Sequence, residues 1–243
     1  MGFADLLSAE IIKFRTLRSY LITAVAAIVV AGIGGAIVGG SVDAQGNVPG
    51  LGTSVQVITL PMEVVIYAML VLGVLIATGD MRSGTFRITS VMAPWRNRVV
   101  AAKFTAAAAV ALVVTIIALA AAWVGGLITA GGRFDPMAGD GLMLILTHLV
   151  AVPLATVLGA AVGMLLRNTA GAISALLIWA LAAEAVLVYT IPAEVVAFLP
   201  FKTVGAAAAN LSLGALPGLG MFTLYVAIAA GLALYLHERR DLG

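Results

Sequence analysis

A chain of 243 residues that is 63% hydrophobic and only 10% charged, with a mean hydropathy of +1.16, lies far from a water-soluble domain, where about a quarter of residues are charged. Its formal net charge of +2 gives no basis for a nucleic-acid partner, and none is expected. The absence of cysteine excludes disulfides, thiolate metal sites and a cysteine nucleophile.

At the amino terminus, Phe3, Leu7, Ile11, Phe14 and Leu17 recur at helical spacing, with Asp5, Glu10, Lys13 and Arg15 on the remaining sides. The pattern predicts an amphipathic helix lying in the membrane interface before the first span; a frayed tail is the alternative. The apolar run that begins near Tyr20 follows two acidic residues, Asp5 and Glu10. It also exceeds the about 7 to 15 residues of a signal core, so an anchored first span is expected rather than a cleaved leader.

A helix needs about 20 apolar residues to cross a hydrocarbon core of about 30 Å. Six runs qualify: Tyr20 to Gly40, Thr53 to Thr78, Val99 to Ala130, Gly141 to Leu166, Ala170 to Thr190 and Leu219 to Leu236. Small residues within them, as in "AGIGGAIVGG" and "TAAAAVALVV", let helices approach closely. The stretch 191–218 is apolar but is interrupted by Pro192, Pro200 and Pro217, with Glu194 and Lys202 inside it. It predicts short helices dipping into the outer interface, because no uninterrupted piece is long enough to span.

Basic residues resist translocation, and their placement sets orientation. Lys13, Arg15 and Arg18 precede the first span. Arg82, Arg87, Arg96, Arg98 and Lys103 sit between the second and third, Arg167 follows the fourth, and Arg239 and Arg240 follow the sixth. Of the 13 lysines and arginines, this leaves only Arg133 and Lys202 for the opposite side. Six spans with both termini in the cytoplasm are therefore expected. Tyr20, Trp95 and Tyr235 then fall near inner ends, and Trp123 and Tyr189 near outer ends, as interfacial aromatics do.

No catalytic constellation is apparent. There is no HExxH, no GxSxG and no phosphate-binding GxxxxGK[ST], so neither a catalytic residue nor a metal ligand is assigned and the chain is not expected to hydrolyse a nucleotide by itself. Three ionisable residues fall within spans: Glu63, His148 and Glu184. At about 1.5 Å per residue all three lie about 22 to 27 Å from the inner ends. Such groups are costly in a bilayer and mark candidate substrate paths. They either ring a polar cavity or serve as isolated buried hydrogen-bonding groups.

The five cations of the second connection occur in "GDMRSGTFRITSVMAPWRNRVVAAK", residues 79–103. Gly79 breaks the preceding span, Thr85 can cap a short helix, and Pro94 suits the first turn of the next. Enforcement of topology and contact with anionic lipid form one reading of these charges. The order of residues points to another. The stretch resembles the cytoplasmic loop between the second and third spans of type-2 ABC exporter permeases. That family places an acidic-x-Arg-x-Gly-Thr segment before a short helix, then Pro-x-Arg-x-Arg and a lysine. Asp80, Arg82, Gly84, Thr85, Pro94, Arg96, Arg98 and Lys103 match those places, with Asp80 where glutamate is more usual; Arg87 lies on the intervening piece. The amphipathic start ending in "EIIKFRTLRSY" is similar to the family's elbow helix.

The resemblance implies an all-α membrane protein forming a single transmembrane domain over 1–243. Within it would lie an elbow helix over 1–18, a cytoplasmic coupling loop over 80–103 and an outer re-entrant segment over 191–218. It implies a permease subunit in a bacterial plasma membrane, working with two copies of an ATP-binding cassette subunit and a second permease half, identical or related, among membrane lipids. ATP and Mg would belong to the partner ATPase, with no cofactor in this chain. A hydrophobic or amphipathic cargo, such as a drug, antibiotic, peptide or lipid, is then expected to be exported. A non-transporting sensor or immunity subunit beside an ATPase would share the same sequence pattern. An ion-coupled carrier or membrane enzyme using Glu63, His148 and Glu184 is a third expectation, and it requires no ATPase.

Overall fold

In hydrocarbon every backbone N–H and C=O must be satisfied within the protein, so apolar runs of this length fold as helices. The computed structural model describes residues 2–82, 96–137, 139–209 and 213–239. Helix α1 (Phe3–Thr16) turns at Leu17 into α2 (Arg18–Gly40), and a hairpin of β1 (Asn47–Val48) and β2 (Gly52–Thr53) leads to α3 (Gln56–Arg82). Helix α4 (Arg96–Ala130) ends in a 3₁₀ turn at Gly131–Arg133, and α5 (Gly141–Leu166) follows. The next span comprises α6 (Thr169–Leu177), a π-helical turn at Ile178–Ala183 and α7 (Glu184–Leu187). Short helices α8 (Ala193–Val196) and α9 (Pro200–Ala209) precede α10 (Ala215–Arg239).

Six helices are long and apolar enough to cross a membrane: α2, α3, α4, α5, the α6–α7 unit and α10. The protein is thus a multi-pass all-α membrane protein. Span boundaries fall within a few residues of those read from hydropathy, with two differences of note. Thr53 belongs to β2, and α10 begins at Ala215 rather than Leu219. Pro217 does not delay that helix because it stands in the first turn, where its missing N–H has no partner to lose. Neither α8, of four residues, nor α9, of ten, is long enough to span.

Spans α3 and α5 form the centre of the bundle, and α2, α6–α7 and α10 its periphery. Outward side chains such as Ile22, Ile37, Ile178 and Leu232 are exposed, a surface suited to lipid rather than water. Close crossings at the centre depend on glycine. A Cβ on Gly73 would run into the Thr156 carbonyl oxygen of α5, and one on Gly159 into the Leu70 carbonyl oxygen of α3. The pair α2 and α4 repeats the device, with Gly35 against Ala122 and Gly125 against Gly32. The glycine-rich run of the first span is therefore a packing face.

Each end of the bundle has its own ties. At the hairpin end, Arg133 Nη1 donates to the Val42 carbonyl at 2.8 Å, and Asp43 Oδ1 accepts from the N–H groups of Gln45 and Asn47. At the other end gather α1, the last turn of α3, the start of α4 and the tail of α10. There Asn97 donates to Glu238 at 2.7 Å and Thr169 to Thr78 at 2.8 Å.

Helix α1 forms, and it packs on the bundle through part of its polar side. Leu6 and Glu10 are its buried residues, whereas Phe3, Ile11 and Leu17 are about 40% exposed. Leu7 is half-buried, and Phe14 stacks on Tyr20 with ring centroids 6.4 Å apart. Glu10 and Lys13 meet charges of α3 and α4, while much of the apolar stripe stays exposed.

Candidate functional site

Four charges from three helices converge at the end of the bundle that carries α1. Lys103, near the start of α4, is fully buried. Its Nζ donates to Glu10 Oε2 at 2.9 Å, Asp80 Oδ2 at 2.8 Å and the Ile76 carbonyl at 3.3 Å. Lys13, one turn along α1 from Glu10, donates to Glu10 Oε1 at 2.8 Å and to Asp80 Oδ2 at 2.7 Å. Two cations and two carboxylates thus compensate one another, the condition for keeping charges away from water. Burial opposes the charge on Lys13, but its hydrogen bonds to Asp80 and Glu10 and the nearby negative charge outweigh this and hold its ammonium above the ordinary range. Beside this cluster, the Tyr20 hydroxyl donates to the Leu75 carbonyl at 3.0 Å, in space that only a glycine at position 79 leaves open.

Asp80 and Lys103 therefore flank the loop from inside the bundle and present little surface to a soluble partner. Arg98 is exposed on α4. Arg82 closes α3 and Arg96 opens α4; the expectations for Gly84, Thr85, Arg87 and Pro94 fall outside the described residues. Sequence reasoning singled out Asp80 and Lys103 but passed over Glu10 and Lys13. Their spacing on one helix face, with Leu6 preceding them, was the available signal.

The three ionisable residues of the opposite half do not form one ring. Glu184 is fully buried at the end of the π-helical turn. Its Oε1 accepts from Trp179 Nε1 at 3.0 Å and from the backbone N–H of Phe201 at 2.9 Å, while Oε2 has no partner among the described residues. The five-residue step from Trp179 matches a π turn, and Phe201 stands in the first turn of α9, so Glu184 serves as a long-range cap for that helix. Glu184→Ala is expected to cost about 1–3 kcal/mol and to speed deuterium uptake over 200–209. Glu184→Gln, which keeps the accepting oxygen, should leave uptake near its original rate. His148 is buried in α5, where Nδ1 donates to the Leu144 carbonyl at 2.6 Å and Nε2 has no partner among the described residues.

Glu63 belongs to a separate feature, a cavity of about 530 Å³ between α3 and the short helices α8 and α9. Glu63, Tyr67 and Lys202 bring polar ends to walls formed by residues such as Val188, Val196 and Phe201. Tyr67 also packs on Phe201, with ring centroids 6.1 Å apart. His148 and Glu184 do not line this cavity. Among the described residues no cluster of His, Cys, Asp and Glu is arranged to hold a metal. Compared with models of known protein families the chain matches none, and no curated protein matches it either.

Proposed function

We propose that the chain is the membrane-spanning permease subunit of an ATP-driven exporter, moving a hydrophobic or amphipathic cargo with energy from a separate ATPase. One observation carries the reading beyond the loop's sequence pattern: both flanks of that loop are fastened to α1 by the buried cluster of Glu10, Lys13, Asp80 and Lys103. A push on the loop would then act on α1, α3 and α4 together, and rigid-body movement of packed helices is how such a push reaches a distant path. In this reading 80–103 is the coupling loop, α1 the elbow helix and 191–218 the re-entrant segment. The cluster faces the cytoplasm of a bacterial cell, two ATPase copies bind ATP and Mg there, and a second permease half completes the pathway.

Isolation from the native membrane in mild detergent is expected to bring down a soluble ATPase identifiable by mass spectrometry. In the reconstituted complex, Arg82→Glu with Arg96→Glu should reduce substrate-stimulated ATP hydrolysis roughly tenfold, within the usual range of coupling between sites. Repeated isolation of the chain alone, or full coupling in that variant, would remove the proposal's support.

A further inference from the structure

The cavity between α3, α8 and α9 holds two opposite charges that do not meet. Glu63 lies on α3 two turns from its start, and Lys202 lies in the first turn of α9; both line the same space of about 530 Å³. The Lys202 ammonium is near enough to act electrostatically on the Glu63 carboxylate and on Glu184, yet it forms an ion pair with neither. Glu184 stands outside the cavity, its Oε1 held by Trp179 and Phe201, which leaves Glu63 as the carboxylate that a bound molecule can reach. Neither side chain, nor the Tyr67 hydroxyl, has a hydrogen-bond partner among the described residues. Charges placed so are costly beside a membrane unless something satisfies them. The contrast with the other end of the molecule is direct, since there the same residue types, two lysines and two carboxylates, are closed into contacts of 2.7 to 2.9 Å.

The surrounding walls are apolar, and the volume falls within the range of small-molecule sites, about 300–1,000 Å³. We infer that this cavity is a binding site for a zwitterionic amphiphile, whose ammonium meets Glu63, whose phosphate or carboxylate meets Lys202 and the Tyr67 hydroxyl, and whose apolar part lies along Val188, Val196 and Phe201. A molecule carrying only one charge would leave the other protein charge unsatisfied, and an uncharged amphiphile would leave both. Charge placement thus selects the zwitterion even though the walls would accept many apolar bodies. Binding at this site stands apart from ATP-driven transport; only the assignment of the bound class as cargo rests on the exporter reading.

The test is equilibrium binding to the full chain, purified without any ATPase in an uncharged maltoside detergent. The probes are radiolabelled lysophosphatidylethanolamine, lysophosphatidylglycerol and dodecyltrimethylammonium, each below its micellar concentration. The zwitterion is expected to bind roughly tenfold more tightly than either singly charged probe, a difference of about 1.4 kcal/mol. Glu63→Gln and Lys202→Met should each abolish that preference, and the exchange of Glu63→Lys with Lys202→Glu should restore most of it with the ligand's head reversed. Equal binding of the three probes by the unaltered chain, absence of saturable binding, or a preference that survives both single substitutions would overturn the site. Saturable, zwitterion-selective binding without export of the probe by the reconstituted complex would sustain the site and count against its occupant as cargo.

Discussion

Lys103→Met is expected to be among the most destabilising single substitutions in the chain, with a cost of about 3–5 kcal/mol, because it strips a buried cation from two carboxylates and leaves Lys13 alone to balance them. The measurement is the unfolding midpoint in mixed micelles of mild and denaturing detergent. The effect should shrink when Asp80→Asn accompanies it, since the pair restores neutrality. Lys13→Met should cost less, for the Lys13 side chain is 29% exposed against 1% for Lys103 and water can reach the carboxylates from its side. If Lys103→Met unfolded at the parent's midpoint, the cluster would have no structural role and its link between α1 and the loop would carry no force.

Gly73→Ala and Gly159→Ala are the second pair with large expected effects. A methyl group at either position occupies the place of a carbonyl on the facing helix, so the backbones of α3 and α5 must separate at the centre of the bundle. Overpacking of this kind costs about 1–3 kcal/mol or more. The double substitution should cost less than the two losses added, because the first already opens the crossing. Gly220→Ala and Gly231→Ala in α10 meet nothing within 4 Å and serve as controls, expected to be neutral or slightly stabilising through helix propensity. A midpoint for Gly73→Ala indistinguishable from that of these controls would show that the crossing gives way cheaply.

Hydropathy made the spans legible, because membrane thickness leaves few ways to place a run such as Gly141–Leu166. Prolines mark the interruption after Thr190, although Pro217 stands in the first turn of a helix rather than in a break. The orientation of α1 was not legible from apolar periodicity alone: Leu6 is buried while Phe3 and Ile11 are exposed, a choice made by the charges of α3 and α4 rather than by α1 itself. Counting from the inner ends put Glu63, His148 and Glu184 at one level, but level does not give rotation about a helix axis. Rotation separates them into a cavity wall, a buried histidine and a cap. In sequence Lys202 is a charge within an interrupted segment and one of two basic residues left for the opposite side; its relation to Glu63 across 139 positions depends on how α8 and α9 fold back on α3.

The arrangement of the buried cluster also dictates an order of assembly. A membrane protein is inserted as it is synthesised, and Glu10 and Lys13 emerge long before either of their partners. Until Asp80 arrives, α1 carries an internally paired Glu10 and Lys13 with nothing to dock against. Until Lys103 follows, the carboxylates outnumber the ammonium groups, and the cluster cannot close. Helix α1 is therefore made well before the partners that seat it, and the third span is the piece whose arrival fixes it in place.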